Sequence, residues 1–527
     1  KKMKIHIKLL LFATVFILSS CESWLDLKPI TQATEEQIFS TAEGYRSTLN
    51  GLYKNMGKAS LYGKNLAFAM LDGFSQQYDL SPENNVMTEY QAYGKMDYGQ
   101  TQVASRIEET WLAAYNVVAN ANNLIQNLVE NTTPELFEFG EMERNMILGE
   151  AYACRALVQF DMLRLFAPAP ISDDGANYVP YVEQYPNIQP AGISVNECID
   201  KVIADLEKAK ELVYDFDTSA LAMNAVCTGD ARFYNKFPSF TTLASTPRAL
   251  SDFFKGRGYR LNYYSMTALL ARAYQYAGKY DEAFEAADEV LKFKYEASQW
   301  DKFTFYEFKT TGIMSGADNS FATFEGKSNL RLVDNLIFAL YNEKAYEELN
   351  LGMHFLKESK GAGAQYFVVR VDDIFKSSKG IDESVSDIRH TKMIFLANNK
   401  QPVSGKWFCH EDEAMRSKNV TILPVIRATE MQYIMAESYA RKGNWTDAAR
   451  ILNDIRQARG CWDDVSFSRW DDFVKELIID ARREWISEGQ LFYLYKRLNA
   501  EVDFGKGIKR SFKRQEAVVP MPESQSM

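Results

Sequence analysis

The chain has 527 residues and a formal net charge of −10. Nucleic-acid phosphates favour basic surfaces, so this acidic balance argues against a nucleic-acid partner. We find no linker rich in proline, glycine or serine and no low-complexity segment, and one large body is therefore the simpler interpretation of the length.

Residues 1–20 are typical of a secretory signal peptide. Basic residues precede an apolar run over residues 9–18. That run is about half as long as the roughly twenty residues that a membrane-spanning helix needs. The sequence LSSC (residues 18–21) resembles the bacterial lipobox. It predicts that Cys21 becomes the mature N-terminus and is acylated, for example with palmitate.

Residues 21–35 are then predicted to form the lipidated tether, since several acyl chains hold a protein at a membrane more firmly than one. The alternative is an ordinary cleaved signal with an incidental cysteine. Cleavage would remove four lysines and no acidic residue, which lowers the formal net charge from −10 to −14. Later apolar runs are all shorter than about eighteen residues, so we expect a water-soluble body held by its N-terminus.

Amphipathic helices dominate the rest of the chain. Residues 106–130 place apolar side chains at a spacing of three and four, and residues 141–170 repeat this pattern before ending at two prolines. A third helix is predicted over residues 194–213. There Ser194, followed three residues later by Glu197, forms a capping-box signature.

Two later segments resemble each other, and each predicts a helical hairpin. Residues 268–291 and 433–456 align without a gap, with small residues before and after a turn glycine and aromatic residues near the turn. This pattern resembles the tetratricopeptide hairpin, although two generic helical hairpins remain the alternative. The matched pairs are Ala271 with Ala436, Tyr274 with Tyr439 and Gly278 with Gly443.

Residues 60–100 and 296–424 are predicted to be loop-rich insertions between the hairpins. Both are punctuated by glycine and rich in aromatic residues, and the alternating run QYFVVRV (residues 365–371) predicts a short strand. Loops carried by a rigid frame are where proteins commonly build binding surfaces.

Familiar catalytic and metal-binding patterns are missing from the sequence. It contains no HExxH, GxSxG or phosphate-binding loop, and the three histidines that follow the signal lie far apart. Setting Cys21 aside leaves five of the six cysteines, an odd number without a CxxC pair, which indicates core residues and no disulfide framework. These histidines and cysteines are His354, His390, His410, Cys154, Cys198, Cys227, Cys409 and Cys461.

Charged residues cluster in the helix predicted from the segment ARREWISEGQLFYLYKRL (residues 481–498). They are Arg482, Arg483, Glu484 and Glu488. One interpretation is a ligand clamp. We favour a structural salt-bridge network that holds the last helices on the body, since the planar arginine side chain suits carboxylate partners.

Several segments in series resemble the SusD/RagB family of Bacteroidetes outer-membrane nutrient-binding lipoproteins. No single one of these segments is specific to the family, but their order along nearly the whole chain is specific to it. Besides the lipobox, the two hairpins and the charged helix, they are WLDLKP (24–29), FSTAEGYRSTLNGLYKNM (39–56), TWLAAYNVVANANNLIQNL (110–128), EAYACRALVQFDMLRLFAPAPI (150–171) and VVPMPESQ (518–525).

The resemblance implies a mainly α-helical single domain over residues 36–527, with four tetratricopeptide-like hairpins, loop-rich insertions and a few short strands. The hairpin helices are expected near residues 101–166, 194–213, 260–295 and 425–500. The resemblance also implies a lipid-anchored protein at the cell surface that acts as the lid of a SusC-like TonB-dependent transporter. Such a lid captures oligosaccharides, or in some members peptides, and passes them inward without chemistry or cofactor.

Sugar binding requires flat aromatic faces beside amides and carboxylates. Two loop-like segments combine these groups. For each residue, ordinary packing beneath a loop is the alternative. The candidates are Trp300, Phe303 and Tyr306 in residues 299–308, and Tyr78, Tyr90, Tyr93, Asn84 and Asn85 in residues 76–99; residues 406–412 form a weaker third segment.

Two other functional classes remain open. A surface glycoside hydrolase needs two carboxylates at a defined distance in space, which sequence spacing does not reveal. A protein-interaction scaffold would use the concave face of the helical hairpins.

Overall fold

Helices make up most of the described chain, as the sequence periodicity predicts. The computed structural model describes residues 34–186, 191–222, 233, 250–298, 301–304, 331–332, 335–355, 365–397, 400–408 and 418–525. The helices are α1 (Glu35–Ile38), α2 (Ala42–Met56), α3 (Met70–Phe74), α4 (Thr88–Lys95), α5 (Thr101–Asn131), α6 (Glu141–Phe166), α7 (Val195–Asp217), α8 (Ala220–Ala222), α9 (Tyr263–Tyr276), α10 (Tyr280–Lys292), α11 (Ala345–Glu348), α12 (Leu351–Phe355), α13 (Val371–Ile374), α14 (Ile388–Thr391), α15 (Ala428–Arg441), α16 (Trp445–Ala458), α17 (Trp470–Glu484), α18 (Gln490–Leu498) and α19 (Arg514–Ala517).

The strands of the described residues are short and form antiparallel sheets. They are β1 (Tyr78–Asp79), β2 (Lys294–Ser298), β3 (Asp301–Thr304), β4 (Leu336–Tyr341), β5 (Val368–Val369), β6 (Ile394–Leu396), β7 (Pro402–Ser404), β8 (Ile422–Arg427), β9 (Val502–Asp503) and β10 (Lys509–Arg510). One sheet has the order β1–β5–β7–β6, and the other strands pair as β2 with β3, β4 with β8, and β9 with β10. The alternating run QYFVVRV (residues 365–371), which predicted a short strand, contains β5.

Local signals set the ends of the long helices. Ser194 accepts a hydrogen bond from the Glu197 main-chain N–H at 3.3 Å, which caps the start of α7. The helix α6 ends at Phe166, just before the sequence Ala-Pro-Ala-Pro. It packs between α5 and α7, so the first long helices form one layered block.

The two predicted hairpins form and lie against each other. Gly278 joins α9 to α10 and Gly443 joins α15 to α16, with positive φ angles of 75° and 73°. Ala271 and Ala436 are fully buried at the helix crossings. The helix α10 packs on α15 although the two copies are far apart in the sequence. The fold is therefore a mainly α-helical one built on hairpins, which confirms the predicted fold class.

The hairpin tyrosines differ from the expected wedge of aromatic side chains. Tyr439 packs edge-on against Phe284, with ring centroids 5.0 Å apart. Tyr274 is only partly buried, and its hydroxyl donates a hydrogen bond to Glu207 Oε1 on α7 at 2.6 Å. Tyr439 thus fills the interface between the hairpins, whereas its counterpart Tyr274 links its hairpin to α7.

The three cysteines that the structure describes are buried and unpaired, which agrees with their interpretation as core residues. They are Cys154, Cys198 and Cys461. Burial raises the pKa of Cys198 and Cys461 to about 12, so their thiols stay protonated at neutral pH. Cys21, Cys227 and Cys409 lie outside the described residues. No helix of the described residues combines the length and apolar character that crossing a membrane requires.

Gly443 provides a test of the hairpin turn, because a Cβ added there would meet no atom within 4 Å and only the backbone angle opposes it. We expect Gly443→Ala to lower the free energy of unfolding by about 1–2 kcal/mol, the usual cost of a left-handed alanine. Gly51 in α2 is a matched control, since its Cβ position is equally open and its backbone is helical. Gly51→Ala should raise the free energy of unfolding by roughly 0.5–1 kcal/mol. Urea unfolding of both variants measures the difference, and equal effects would contradict this account of the turn.

Candidate functional site

The first loop-borne aromatic segment lies mostly outside the described chain. Trp300 and Tyr306 are not among the described residues, and Phe303 is described only through the backbone of β3. Their proposed stacking on a sugar therefore stays a prediction.

The candidates in residues 76–99 are buried. Their polar, glycine-punctuated setting predicted loop positions open to a ligand, and the structure corrects this placement. A ring without a solvent-facing side cannot stack on a sugar in this conformation. The exposed fractions are 3% for Tyr78, 5% for Tyr90, 0% for Tyr93, 6% for Asn84 and 0% for Asn85.

Contacts with distant parts of the chain explain this burial. The Tyr78 hydroxyl lies 2.8 Å from Ser487 Oγ, although 409 residues separate them. The ring of Tyr90 packs on Phe367 at a centroid distance of 5.0 Å. The insertion is thus folded between the small sheet and the C-terminal helices, and its tyrosines form part of the core.

A buried polar cluster joins this insertion to α12. Lys64 Nζ donates to the Tyr90 hydroxyl at 2.9 Å and lies 3.3 Å from His354 Nε2. His354 Nδ1 lies 2.8 Å from the Gln365 carbonyl oxygen, to which it donates. Burial, followed by the charge of Lys64, lowers the pKa of His354 well below its ordinary value, while burial lowers the pKa of Lys64 to about 8. The histidine is therefore neutral at neutral pH and accepts from the lysine.

The helix predicted from residues 481–498 is two helices in the structure, since α17 ends at Glu484 and α18 begins at Gln490. Charged residues of this segment form a buried network. Arg483 donates to Glu383 at 2.7 Å. Glu488 accepts from Arg427 at 2.5 Å and from Lys406 at 2.6 Å. Because both glutamates pair with buried cations inside the protein, the contacts support the structural interpretation and not the ligand clamp.

Glu484 lies at the centre of this network. It accepts hydrogen bonds from Arg459 at 2.8 Å and from the Thr429 hydroxyl at 2.8 Å, and Arg389 lies 3.3 Å away. Burial alone would raise the pKa of Glu484, but Arg459 and then Arg389 hold that pKa well below its ordinary value. The carboxylate is therefore charged at neutral pH although it is buried.

An open groove of about 800 Å³ lies between α7, α9 and α10. Its lining includes three tyrosines, of which Tyr214 is 51% exposed, together with six carboxylates and two lysines. These residues are Tyr214, Tyr263, Tyr274, Glu207, Glu211, Asp215, Glu282, Glu285, Glu289, Lys208 and Lys210.

Hydrogen bonds fix two of the groove tyrosines. The Tyr263 hydroxyl donates to Glu289 Oε1 at 2.6 Å, in the same way that Tyr274 donates to Glu207. Burial, followed by the bonded carboxylate, raises the pKa of Tyr263 and of Tyr274. The groove therefore presents aromatic faces beside negative acceptors, a combination that suits hydroxyl groups or cationic side chains. The sequence prediction missed it, because its residues come from three helices and none is unusual within its own helix.

Comparison with known proteins supports the architecture along the chain. A family model described as "Starch-binding associating with outer membrane" matches residues 23–234. Two proteins of Formosa agariphila are also similar. SusD-like protein P38 is 24% identical over 95% of this chain and 93% of its own length, and SusD-like protein P2 is 26% identical over 41% of this chain and 39% of its own.

Solved structures share the fold at low sequence identity. A SusD superfamily protein from Bacteroides thetaiotaomicron superposes with a TM-score of 0.63 and 18% identity, covering 92% of this chain and 97% of its own. The chain is thus similar to SusD-like proteins along most of its length. A second solved structure with a similar fold is surface glycan-binding protein A from the same organism, in complex with laminarihexaose. It superposes with a TM-score of 0.60 and 14% identity, covering 92% of this chain and 97% of its own.

Among the described residues, no group of three or more His, Cys, Asp or Glu side chains is arranged to hold a metal ion. The adjacent pair Cys409 and His410 lies outside the described residues. The described residues thus offer one open groove for a ligand, between α7, α9 and α10, while the site around Trp300 stays a prediction from the sequence.

Proposed function

We propose that this protein is a member of the SusD family that binds glycans at the cell surface. It delivers them, chemically unchanged, to a SusC-like TonB-dependent transporter on which it acts as a lid. The observation that carries this proposal is the fold, which matches a solved glycan-binding protein over 92% of the chain. The outer-membrane association in the description of the matching family model supports the location. A lipid on Cys21 would hold the protein there.

The sugar contacts are proposed to come from Trp300, Phe303 and Tyr306. Residues 299–308 combine these rings with Asp301 and Glu307, and such groups suit the apolar face and the hydroxyls of a pyranose. The buried Tyr78, Tyr90, Tyr93, Asn84 and Asn85 would then make no direct contact with the sugar.

Glycan binding can be measured by isothermal titration calorimetry with laminarihexaose and a panel of plant and host glycans. We expect Trp300→Ala to weaken binding about tenfold, since an aromatic pair contributes ~0.5–1.5 kcal/mol beyond the area it buries. Trp462→Ala is the matched control, because Trp462 is a tryptophan with 73% of its surface exposed, outside the proposed site. It should leave the affinity unchanged.

Three results of this experiment would contradict the proposal in different ways. If both tryptophan variants keep the affinity of the wild type, the sugar does not bind at residues 299–308. Absence of binding to every glycan in the panel would favour a peptide ligand. Shortening of the glycan chains during incubation would identify a hydrolase.

The hairpin groove supports a second candidate function, a contact with another protein. Its lining carries six carboxylates against two lysines and has an exposed tyrosine, so it suits a partner segment that bears basic side chains. If Tyr263→Ala abolishes capture of the transporter while Trp300→Ala affects only glycan affinity, the two surfaces have separate roles. If Trp300→Ala leaves the glycan affinity unchanged and Tyr263→Ala abolishes binding of a protein partner, the protein-interaction scaffold is favoured.

Lipidation is tested by mass spectrometry of the protein recovered from bacterial membranes. We expect an N-terminal peptide that begins at Cys21 and carries acyl chains, and Cys21→Ser should shift the protein to the soluble fraction. An unmodified Cys21 in a membrane-associated protein would contradict the proposed anchor.

A further inference from the structure

The open groove between α7, α9 and α10 has an acidic wall on two sides. The helix α9 packs against both α7 and α10 and contributes Tyr263 and Tyr274 to the lining. Each wall carries three carboxylates, spaced three or four residues apart, so that they share one face of their helix. They are Glu207, Glu211 and Asp215 on α7, and Glu282, Glu285 and Glu289 on α10.

The chain's own Lys210 shows how one end of the groove holds a cation. Its Nζ lies 2.8 Å from Glu289 Oε2 and 4.8 Å from the ring centroid of Tyr263. The Tyr263 hydroxyl donates to Glu289 Oε1 at 2.6 Å, and Tyr214 packs edge-on against the Tyr263 ring at a centroid distance of 5.4 Å. A positive charge over an aromatic face and beside a carboxylate is a favourable arrangement.

The opposite end repeats this pairing of tyrosine and carboxylate without a lysine. The Tyr274 hydroxyl donates to Glu207 Oε1 at 2.6 Å, and burial, then Glu207, then Glu282 raise the pKa of Tyr274. Tyr274 and Glu282 lie on either side of the hairpin turn at Gly278, each four residues from it, and so belong to the same end of the groove. In the part of the chain that the structure describes, no lysine or arginine lies over the Tyr274 ring or pairs with these two glutamates. This end can therefore receive a cation from another molecule.

The length of the groove indicates the conformation of its ligand. Tyr263 and Tyr274 lie on one helix, and their separation along its axis is about 16 Å. An extended peptide covers that distance with about five residues, and its alternate side chains lie ~6.6–6.8 Å apart on one side. This repeat is close to the helical turn of ~5.4 Å that separates neighbouring carboxylates of a wall. Basic side chains at alternate positions would therefore meet successive carboxylates.

We propose that the groove binds an extended segment of a partner protein that bears lysine or arginine at alternate positions, with one basic side chain held by Tyr274, Glu207 and Glu282. The proposal rests on the second candidate function, a contact with another protein, and names the chemistry of that contact. Six carboxylates and two lysines leave the lining with a formal charge of −4, which complements such a segment. Lys210 occupies the far end and limits how many basic side chains the groove accepts.

Fluorescence polarisation of the full chain with labelled peptides tests this proposal. Arg-Thr-Arg-Thr-Arg should bind. The permuted peptide Arg-Arg-Arg-Thr-Thr should bind at least about threefold more weakly, because neighbouring side chains of an extended chain point to opposite sides. Gln-Thr-Gln-Thr-Gln should not bind, and higher ionic strength should weaken the binding of the arginine peptides. No binding of Arg-Thr-Arg-Thr-Arg, or equal affinity for both arginine peptides, would overturn the proposal.

Two variants test the end of the groove at Tyr274. Glu282→Gln and Tyr274→Leu should each weaken binding of Arg-Thr-Arg-Thr-Arg about two- to fivefold. Asp281→Asn is the matched control, because it removes the same charge at the adjacent position, where Asp281 pairs with Lys442 at 2.5 Å and does not line the groove. The control should keep the wild-type affinity. Equal losses in Glu282→Gln and Asp281→Asn would reduce the effect to net charge and overturn the proposal.

Removing the internal cation should have the opposite effect. Lys210→Met leaves the Tyr263 ring and Glu289 to the ligand and should strengthen binding about two- to fivefold. Lys201→Met is its control, since Lys201 lies on the same helix, pairs with Glu183 at 2.7 Å and does not line the groove. It should leave the affinity unchanged, and weaker binding in Lys210→Met would contradict the assigned role of Lys210.

Other occupants of the groove give different results. A glucosamine hexamer that displaces the peptide and binds more tightly would identify a cationic glycan, and a dimer of this chain that Glu282→Gln dissociates would identify a second copy; either would overturn the proposal. Failure of the peptides leaves glycan binding at residues 299–308 intact, because calorimetry of Trp300→Ala measures that site separately. If Tyr263→Ala still abolished capture of the transporter, the groove would contact a protein through other chemistry.

Discussion

The structure depends on a network of buried charges around Glu484 and Glu488. A buried charge is tolerated only where partners satisfy it, and removing one partner leaves the other exposed to a large desolvation cost. The partners of these two glutamates come from separate parts of the chain: Lys406 from the second insertion, Arg427 from the end of β8, and Arg459 from the turn after α16. The network therefore fixes the insertion and the hairpin helices relative to each other.

The first insertion is held at the same place. The side chain of Asp72 on α3 accepts a hydrogen bond from the main-chain N–H of Gly489 at 2.9 Å, immediately after Glu488, and Tyr78 bonds to Ser487. Burial raises the pKa of Asp72 to about 8, while hydrogen bonds from the main chain of Gly489 and Ser487 act in the opposite direction. Both insertions are thus joined to one rigid frame. Loops that emerge from such a frame can present ligand contacts in a constant arrangement without internal movement of the body.

Sequence alone predicts the parts of this fold that depend on neighbouring residues. Gly443, Ser194 and the alanines at the helix crossings act within a turn or two of their own positions, and periodicity reveals them. The burial of Tyr78 depends on Ser487, and the role of Arg483 depends on Glu383, 100 residues away. No local pattern encodes such contacts. Polar, aromatic-rich segments therefore resembled ligand loops although the structure places one of them in the core. The groove was missed, and its three tyrosines come from α7 and α9.

Hydrogen exchange of a Glu488→Gln variant tests most directly whether the charge network holds the insertions to the hairpins. The substitution leaves Arg427 and Lys406 without their carboxylate, and removing one partner of a buried pair typically costs about 3–5 kcal/mol. Glu109→Gln is the control, since Glu109 forms a largely exposed pair with Arg106. The account predicts that protection falls in β7, β8 and the turn around Gly489 while α5, α6 and α7 keep theirs. Unchanged protection in Glu488→Gln, or an equal loss throughout the chain, would contradict it.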